Sequence, residues 1–144
     1  MLSKPKHGWT TVTVDGRTLG SASYCTDVPN DTLTAFIKYF KKGRPINIVY
    51  DGEGTEFGLV TFDDQLYAIY IDDNGLPTIN EIDATVKDLA LEVIDDIRSN
   101  PRAWAEWNYI PDEDSVSKII ATINERWIRL SAKCYTLEEL CKYG

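Results

Sequence analysis

The stretch INIVYDGEGTEFGLVTFDDQLYAIYIDDNG, residues 46–75, decides the fold of this 144-residue chain. Three of its runs, 46–50, 57–62 and 66–71, are rich in β-branched and aromatic residues, and each predicts a strand. The connections between them consist largely of glycine and aspartate, which are typical turn residues. Strands joined by such short connections can pair only antiparallel. The last run is apolar on both faces, so we expect central strands that are covered on more than one side.

On the N-terminal side of this stretch the sequence predicts a hairpin and a helix. Residues 9–14 and 17–24 flank Asp15-Gly16, a strong two-residue hairpin signal. Apolar residues spaced i, i+3, i+4 and i+7 predict a helix from residue 30 or 31 to residue 42. Residues 1–8 are basic without an apolar run, which is not the pattern of a secretory signal. We expect them to form a flexible lead-in.

On the C-terminal side the pattern is helical. Residues 77–80 are predicted to lead into a helix over about 83–99, and Asn100-Pro101 ends it. A further long helix is predicted from residue 111 to about residue 132, with a brief one after residue 136. The predicted order is ββ-α-βββ-α-α. It indicates an α+β fold: one antiparallel sheet of about five strands with helices packed against it, in a single domain spanning 1–144.

Size and composition restrict the class of protein. A chain of 144 residues corresponds to one ordinary domain. No stretch approaches the roughly 20 apolar residues that span a bilayer, so we expect no membrane association. The three cysteines, Cys25, Cys134 and Cys141, contain no C-x-x-C pair, which argues against a disulfide framework and a zinc site. Free thiols fit a cytoplasmic protein.

Charge is distributed unevenly along the chain. The net charge is −8, but residues 45–116 carry 17 acids and three bases, hence −14, which leaves +6 for the rest. Acids in turns and on helix faces commonly serve solubility and local hydrogen bonding. A segment of such charge nevertheless opposes its own compaction, and a basic partner is the simplest reason to retain it. The net acidity disfavours direct binding of nucleic acid.

Catalytic motifs are missing from the sequence. The only histidine, His7, lies in the predicted lead-in, where it would not be held rigidly for nucleophilic catalysis. No glycine pattern matches a phosphate-binding loop. Residues 70–81 match a calcium loop in part, but Tyr70 occupies the first ligand position and cannot bind the ion. We therefore predict that the protein is not an enzyme and that it binds neither a cofactor nor a metal ion. The alternative is a small hydrolase that uses carboxylates for catalysis.

A short aromatic segment follows the acidic region. Trp104, Trp107 and Tyr109 lie between two prolines and beside acids. Such residues either pack in the core or form a partly exposed anchor of the kind that dominates binding energy. We predict a partner-binding surface made of the hairpin acids and this segment, namely Asp51, Glu53, Glu56, Asp63, Asp64, Asp72, Asp73, Trp104, Trp107 and Tyr109.

The middle of the chain resembles the small immunity proteins of bacterial polymorphic toxin and contact-dependent inhibition systems, in particular the Imm1-like group. The residues that carry the resemblance are EFGLV at 56–60 and NPRAWAEW at 100–107. The resemblance implies a cytoplasmic inhibitor, monomeric or weakly dimeric, that binds a cognate protein toxin with a basic surface. A phage-type inhibitor that mimics nucleic acid, and an interaction domain unrelated to toxins, are alternative interpretations of the same acidity.

Overall fold

The computed structural model describes residues 1–107, 118, 120–122 and 125 of the chain. It confirms an α+β fold. The strands are β1 (Trp9–Val14), β2 (Arg17–Ser23), β3 (Asn47–Asp51), β4 (Glu56–Phe62), β5 (Gln65–Ile71) and β6 (Pro77–Glu81), and the helices with defined ends are α1 (Val28–Lys42), α2 (Val86–Arg98) and α3 (Pro101–Glu106). Residues 118, 120–122 and 125 are also helical. No helix in the described part of the chain is long and apolar enough to cross a membrane.

The strands form two antiparallel sheets rather than the single sheet of about five strands that we predicted. One sheet is the hairpin β1-β2, and the other is the meander β3-β4-β5-β6. The observed order through residue 106 is therefore ββ-α-ββββ-α-α. The additional strand is β6, which the sequence presents only as a lead-in to a helix. Its first residue, Pro77, lacks an N–H group, and proline is found at strand starts and on edge strands, so the segment does not show the pattern of a central strand.

Residues 1–8 lie against β1, whereas the sequence predicts a flexible lead-in. Leu2 pairs with Val12 and its side chain is buried in the core. The N-terminal ammonium lies 2.8 Å from the Asp96 carboxylate, which also accepts a 2.7 Å hydrogen bond from the Leu2 N–H. Burial of the ammonium lowers its pKa, but hydrogen bonds and charge attraction from Asp96 and Glu92 outweigh that effect and leave the pKa raised. A single apolar residue has no periodicity, so the sequence pattern does not reveal this contact.

The core lies between the four-stranded sheet, the hairpin and the helices. Buried apolar residues from all of these elements form one cluster, among them Val12, Leu33, Phe36, Ile48, Leu59, Leu66, Ala68, Leu89, Val93 and Ile97. The hairpin packs closely on the sheet because Gly20 has no side chain. A Cβ atom at this position would approach the Phe57 ring to 2.6 Å. The cluster defines the inner face of the four-stranded sheet, and the opposite face is called the outer face below.

Helix ends follow local capping rules. Asp27 caps α1 through the Asn30 N–H at 3.4 Å, and Pro29 fits the first turn, so the helix begins before residue 30. Gly43 ends it in the left-handed conformation, which glycine adopts without steric strain. Thr85 and Asp88 form a reciprocal capping box that starts α2 at Val86. These caps hold two helices that contribute to the core beneath the inner face.

Candidate partner-binding surface

The outer face of the four-stranded sheet carries apolar side chains on each strand. Val49, Gly58, Ile69 and Ile79 are paired neighbours in the register and form a row across the sheet. Val49 is 54% exposed and Ile79 is 68% exposed. The other apolar side chains of this face, which lie beside the row, are Val60, Phe62, Tyr67, Ile71 and Pro77.

This exposure differs from the usual pattern of an antiparallel sheet. Such sheets commonly alternate, with apolar residues facing the core and polar residues facing water. Here Phe62, Ile69 and Ile71 remain exposed on the side opposite the core. The prediction that β5 is covered on more than one side is therefore wrong within the described residues. Exposed apolar side chains that lie together on one face are typical of an interaction site.

The charged side chains of this sheet are all acidic. Residues 46–81 contain eight acids and no lysine, arginine or histidine. Three of the acids, Asp51, Glu56 and Glu81, belong to strand positions whose side chains lie on the outer face. The remaining five lie in the turns that connect the strands. The apolar face is therefore bordered by negative charge.

The meander separates the predicted binding acids into two groups. The β3-β4 and β5-β6 turns lie at one end of the sheet, which we call the first end, and the β4-β5 turn lies at the second end. Asp51, Glu53, Glu56, Asp72 and Asp73 belong to the first end, and Asp63 and Asp64 to the second. Strands of this length place the two groups about 15–20 Å apart. The acids therefore do not form a single cluster but flank the apolar face.

At the first end, two of the acids stabilise their own turns. The Asp51 carboxylate accepts a 2.7 Å hydrogen bond from the Glu53 N–H, and Asp72 accepts bonds from the N–H groups of Asn74 and Leu76, both at 2.9 Å. These are the local turn bonds expected of aspartate. The other three acids, Glu53, Glu56 and Asp73, have exposed side chains. They are the first-end carboxylates best placed to meet a partner.

A shallow depression joins the first end to the apolar face. It is lined by Asp51, Gly54, Thr55, Glu56 and Ile71. The exposed Ile71 side chain and the Glu56 carboxylate thus border the same concave surface. A partner group with an apolar stem and a cationic end, such as a lysine or arginine side chain, matches this chemistry.

At the second end, Asp64 links the sheet to α1. The Tyr39 hydroxyl donates a 2.7 Å hydrogen bond to its carboxylate. Burial raises the pKa of Tyr39, and the hydrogen bond and negative charge of Asp64 raise it further, to about 12. Asp63 and Asp64 both have positive φ, 47° and 63°, a conformation that aspartate tolerates in tight hairpin turns. Asp64 therefore has a structural contact as well as negative charge.

The two tryptophans of the predicted surface lie in the core. Trp104 is 1% exposed and Trp107 is 6% exposed, with ring centroids 5.6 Å apart. The Trp104 indole N–H donates to the Asp96 carbonyl at 3.4 Å. Neither ring is available as the exposed anchor that the sequence suggested, because helix α3 packs both inward. Tyr109 lies outside the described residues.

The aromatic residues that the outer face presents are Phe62 and Tyr67, which the sequence-based prediction missed. The sequence does contain a sign of their location. Phe62 directly follows the inner-face residue Thr61, and Tyr67 directly follows the inner-face residue Leu66, so both side chains point to the opposite face of the sheet. Alternation identifies two faces of a strand, but it does not reveal which face remains uncovered when both are apolar.

The described residues contain no group of three or more histidine, cysteine, aspartate or glutamate side chains that could hold a metal ion. The adjacent pairs Asp63/Asp64 and Asp72/Asp73 lie in turns. The only described cysteine, Cys25, is exposed, with its Sγ 3.9 Å from the Glu53 carboxylate. Within these residues, the outer face is the most extensive feature that suggests a function.

Comparison of the chain with models of protein families, with curated proteins and with solved structures found no match.

Proposed function

We propose that this protein is an immunity-type inhibitor that binds a cognate basic toxin through the outer face of β3–β6 and the acids at its two ends. One observation carries the proposal: a sheet with eight acids and no base exposes apolar side chains on the face opposite its core. The toxin would act on nucleic acid, since enzymes of that class need a basic surface to bind their substrate. Inhibition would take place in the cytoplasm.

The arrangement has the anatomy of a protein-binding site. Protein interfaces combine an apolar centre, where most affinity arises, with a polar rim. Here the row from Val49 to Ile79 supplies the centre, and the exposed acids Glu53, Glu56 and Asp73 supply part of the rim. Negative rim charges attract a basic partner over distance and accelerate association. An inhibitor that only mimicked nucleic acid would need charges in place of the exposed isoleucines, so the apolar centre favours a protein surface as the target.

The proposal predicts a one-to-one complex whose association depends on salt. The test mixes the purified protein with the product of the adjacent gene and follows association by stopped-flow fluorescence. Raising the salt from about 50 mM to about 500 mM shortens the Debye length from ~14 Å to ~4 Å and should slow association about tenfold or more. Complete absence of binding, or an association rate that does not change with salt concentration, contradicts the proposal.

Two variants distinguish what the acidic rim and the apolar centre each contribute to binding. Neutralising Glu53, Glu56 and Asp73 to the amides should slow association, whereas Ile69→Ser with Ile71→Ser should accelerate dissociation. Asp15→Asn, in the exposed β1-β2 turn, removes one acid outside the proposed surface and is the matched control for the single rim change Asp73→Asn. Equal loss of affinity in these two single variants would argue for a general effect of charge rather than a located site.

A further inference from the structure

Strand β6 is an open edge of the sheet. It pairs with β5 on one side, and no other strand pairs with it within the described residues. The opposite edge strand, β3, lies beside the hairpin, where a Cβ atom on Gly52 would be 3.1 Å from the Ser21 carbonyl oxygen. An edge that is neither paired nor covered presents backbone donors and acceptors to another chain.

The register shows which backbone groups of β6 face away from the sheet. The Ile82 N–H donates to the Leu66 carbonyl and the Asp72 N–H donates to the Leu76 carbonyl, both at 2.9 Å. Residues 76, 78, 80 and 82 therefore direct their N–H and C=O groups toward β5, since these directions alternate along an antiparallel strand. The N–H and C=O groups of Ile79 and Glu81, and the C=O of Pro77, point outward.

Side chains and charge define what this edge would accept. Ile79 is 68% exposed and Leu76 is 61% exposed, so apolar area lies beside the outward backbone groups. Residues 72–83 contain four acids, Asp72, Asp73, Glu81 and Asp83, and no base. Pro77 limits donation to the middle and end of the strand because it has no N–H. A complementary segment is short, extended and cationic, with apolar residues at its centre.

A second copy of this chain fits the edge poorly. Antiparallel pairing of two β6 strands around Ile79 would place Glu81 of each copy opposite Pro77 of the other and bring Asp83 of each copy toward the acidic β5-β6 turn of the other. Like charges opposite each other destabilise strand pairs. The charge of the edge therefore favours a different, basic chain.

We propose that β6 accepts an extended lysine- or arginine-bearing segment of a partner protein, which adds to the sheet as a fifth strand. This inference rests on the proposed function and specifies how the partner binds. The added strand would receive hydrogen bonds from the N–H groups of Ile79 and Glu81 and donate to the outward carbonyl groups. Main-chain bonds of this kind supply affinity, and the flanking side chains supply specificity.

The first test uses proline at one edge position. Ile79→Pro removes an outward N–H while leaving the hydrogen bonds between β5 and β6 in place, because that N–H is not part of their ladder. Ile79→Ala removes the side chain and keeps the N–H. If a strand adds here, the proline variant should bind the partner about tenfold more weakly than the alanine variant, the change expected for one lost backbone hydrogen bond. Equal affinities of the two variants would overturn the inference.

The second test needs no toxin and does not require the proline variant to fold. The probe is a synthetic peptide that alternates lysine with valine, and its controls are a glutamate-valine peptide and a lysine-valine peptide methylated on its backbone nitrogens. Only the first should bind and slow hydrogen exchange of the Ile79 and Glu81 amides. Unchanged exchange of these two amides would contradict strand addition. Concentration-dependent dimerisation through β6 in the absence of peptide would overturn the assignment of this edge to a basic partner.

The two proposals fail in different ways. If the toxin-inhibitor function is correct and strand addition is not, the outer-face serine variants weaken binding of the partner but Ile79→Pro behaves like Ile79→Ala. If the function is wrong, the adjacent gene product does not bind, whereas the lysine-valine peptide still protects the Ile79 and Glu81 amides.

Discussion

The two faces of the four-stranded sheet are made of the same strands and the same kinds of side chain, but their surroundings differ. On the inner face, Ile48, Leu59 and Ala68 are buried beneath helices and the hairpin. Their direct neighbours along the strands, Val49 and Ile69, lie on the outer face and are exposed. Hydrophobic composition alone therefore does not define the core. Apolar residues on an uncovered face are available for a partner.

The largest expected difference between the faces concerns packing. Leu59→Ala on the inner face should lower the free energy of unfolding by about 2–5 kcal/mol, because it removes buried methyl groups and leaves a cavity. Ile79→Ala on the outer face should cost less than about 1 kcal/mol, since that side chain is 68% exposed and already largely in water. Urea denaturation monitored by tryptophan fluorescence measures both. Similar losses would mean that the outer face is covered in solution, and the comparison would no longer hold.

A smaller difference between the two faces concerns the effect on stability of removing a tyrosine hydroxyl group. Tyr50 is buried on the inner face, its hydroxyl lies 3.0 Å from that of Thr32, and burial raises its pKa far above the ordinary value. Tyr50→Phe should lower the free energy of unfolding by about 1–2 kcal/mol because the Thr32 hydroxyl loses its partner in the core.

The matched outer-face change is Tyr67→Phe, which should alter the free energy of unfolding by no more than about 0.5 kcal/mol. The same denaturation experiment measures it. A double variant with Thr32→Val should recover part of the loss in Tyr50→Phe, because both buried polar groups are then absent. Equal costs for the two tyrosines would show that the hydroxyl at position 50 is not isolated from water.

The smallest expected effect is a pH dependence where the sheet meets α1. The pKa of Tyr39 is raised from 10.0 to about 12, so the fold favours its protonated form. That contribution to stability is complete below pH 10 and is lost as the pH rises through about 12. Asp64→Asn should lower the pKa of Tyr39 only part of the way, since burial, the largest cause, remains. Absorbance of the tyrosinate ion, with Tyr39→Phe to assign the signal, tests this; an unchanged pKa would show that Asp64 does not contact Tyr39.

The sequence predicted most of the elements because their signals are local. The hairpin at Asp15-Gly16, the helix ending at Gly43 and three strands of the meander agree with the structure to within about two residues at most ends, the usual precision of such boundaries. β6 was missed because its five residues begin with proline and contain polar positions. Its strand character comes from pairing with β5, which no local pattern contains.

The binding surface was only partly predictable. The acids were identified from composition and turn chemistry, but their division between two ends of the sheet follows from the meander topology. The burial of Trp104 and Trp107 follows from the direction of α3 relative to the core. The exposure of Ile69 and Ile79 depends on which face the helices and hairpin cover, and strands that are apolar on both faces do not encode that choice.

By itself, the sequence determined the α+β class, the local turns and caps, and the strong negative charge of the central segment, because these depend on residue type and short-range spacing. Only the tertiary structure decided that one apolar face of the sheet is buried and that, in the part of the chain that the structure describes, the other face is open, acids flank it and β6 is an unpaired edge strand. These features depend on which elements pack together across long separations in sequence, and burial is a property of that packing rather than of any residue alone.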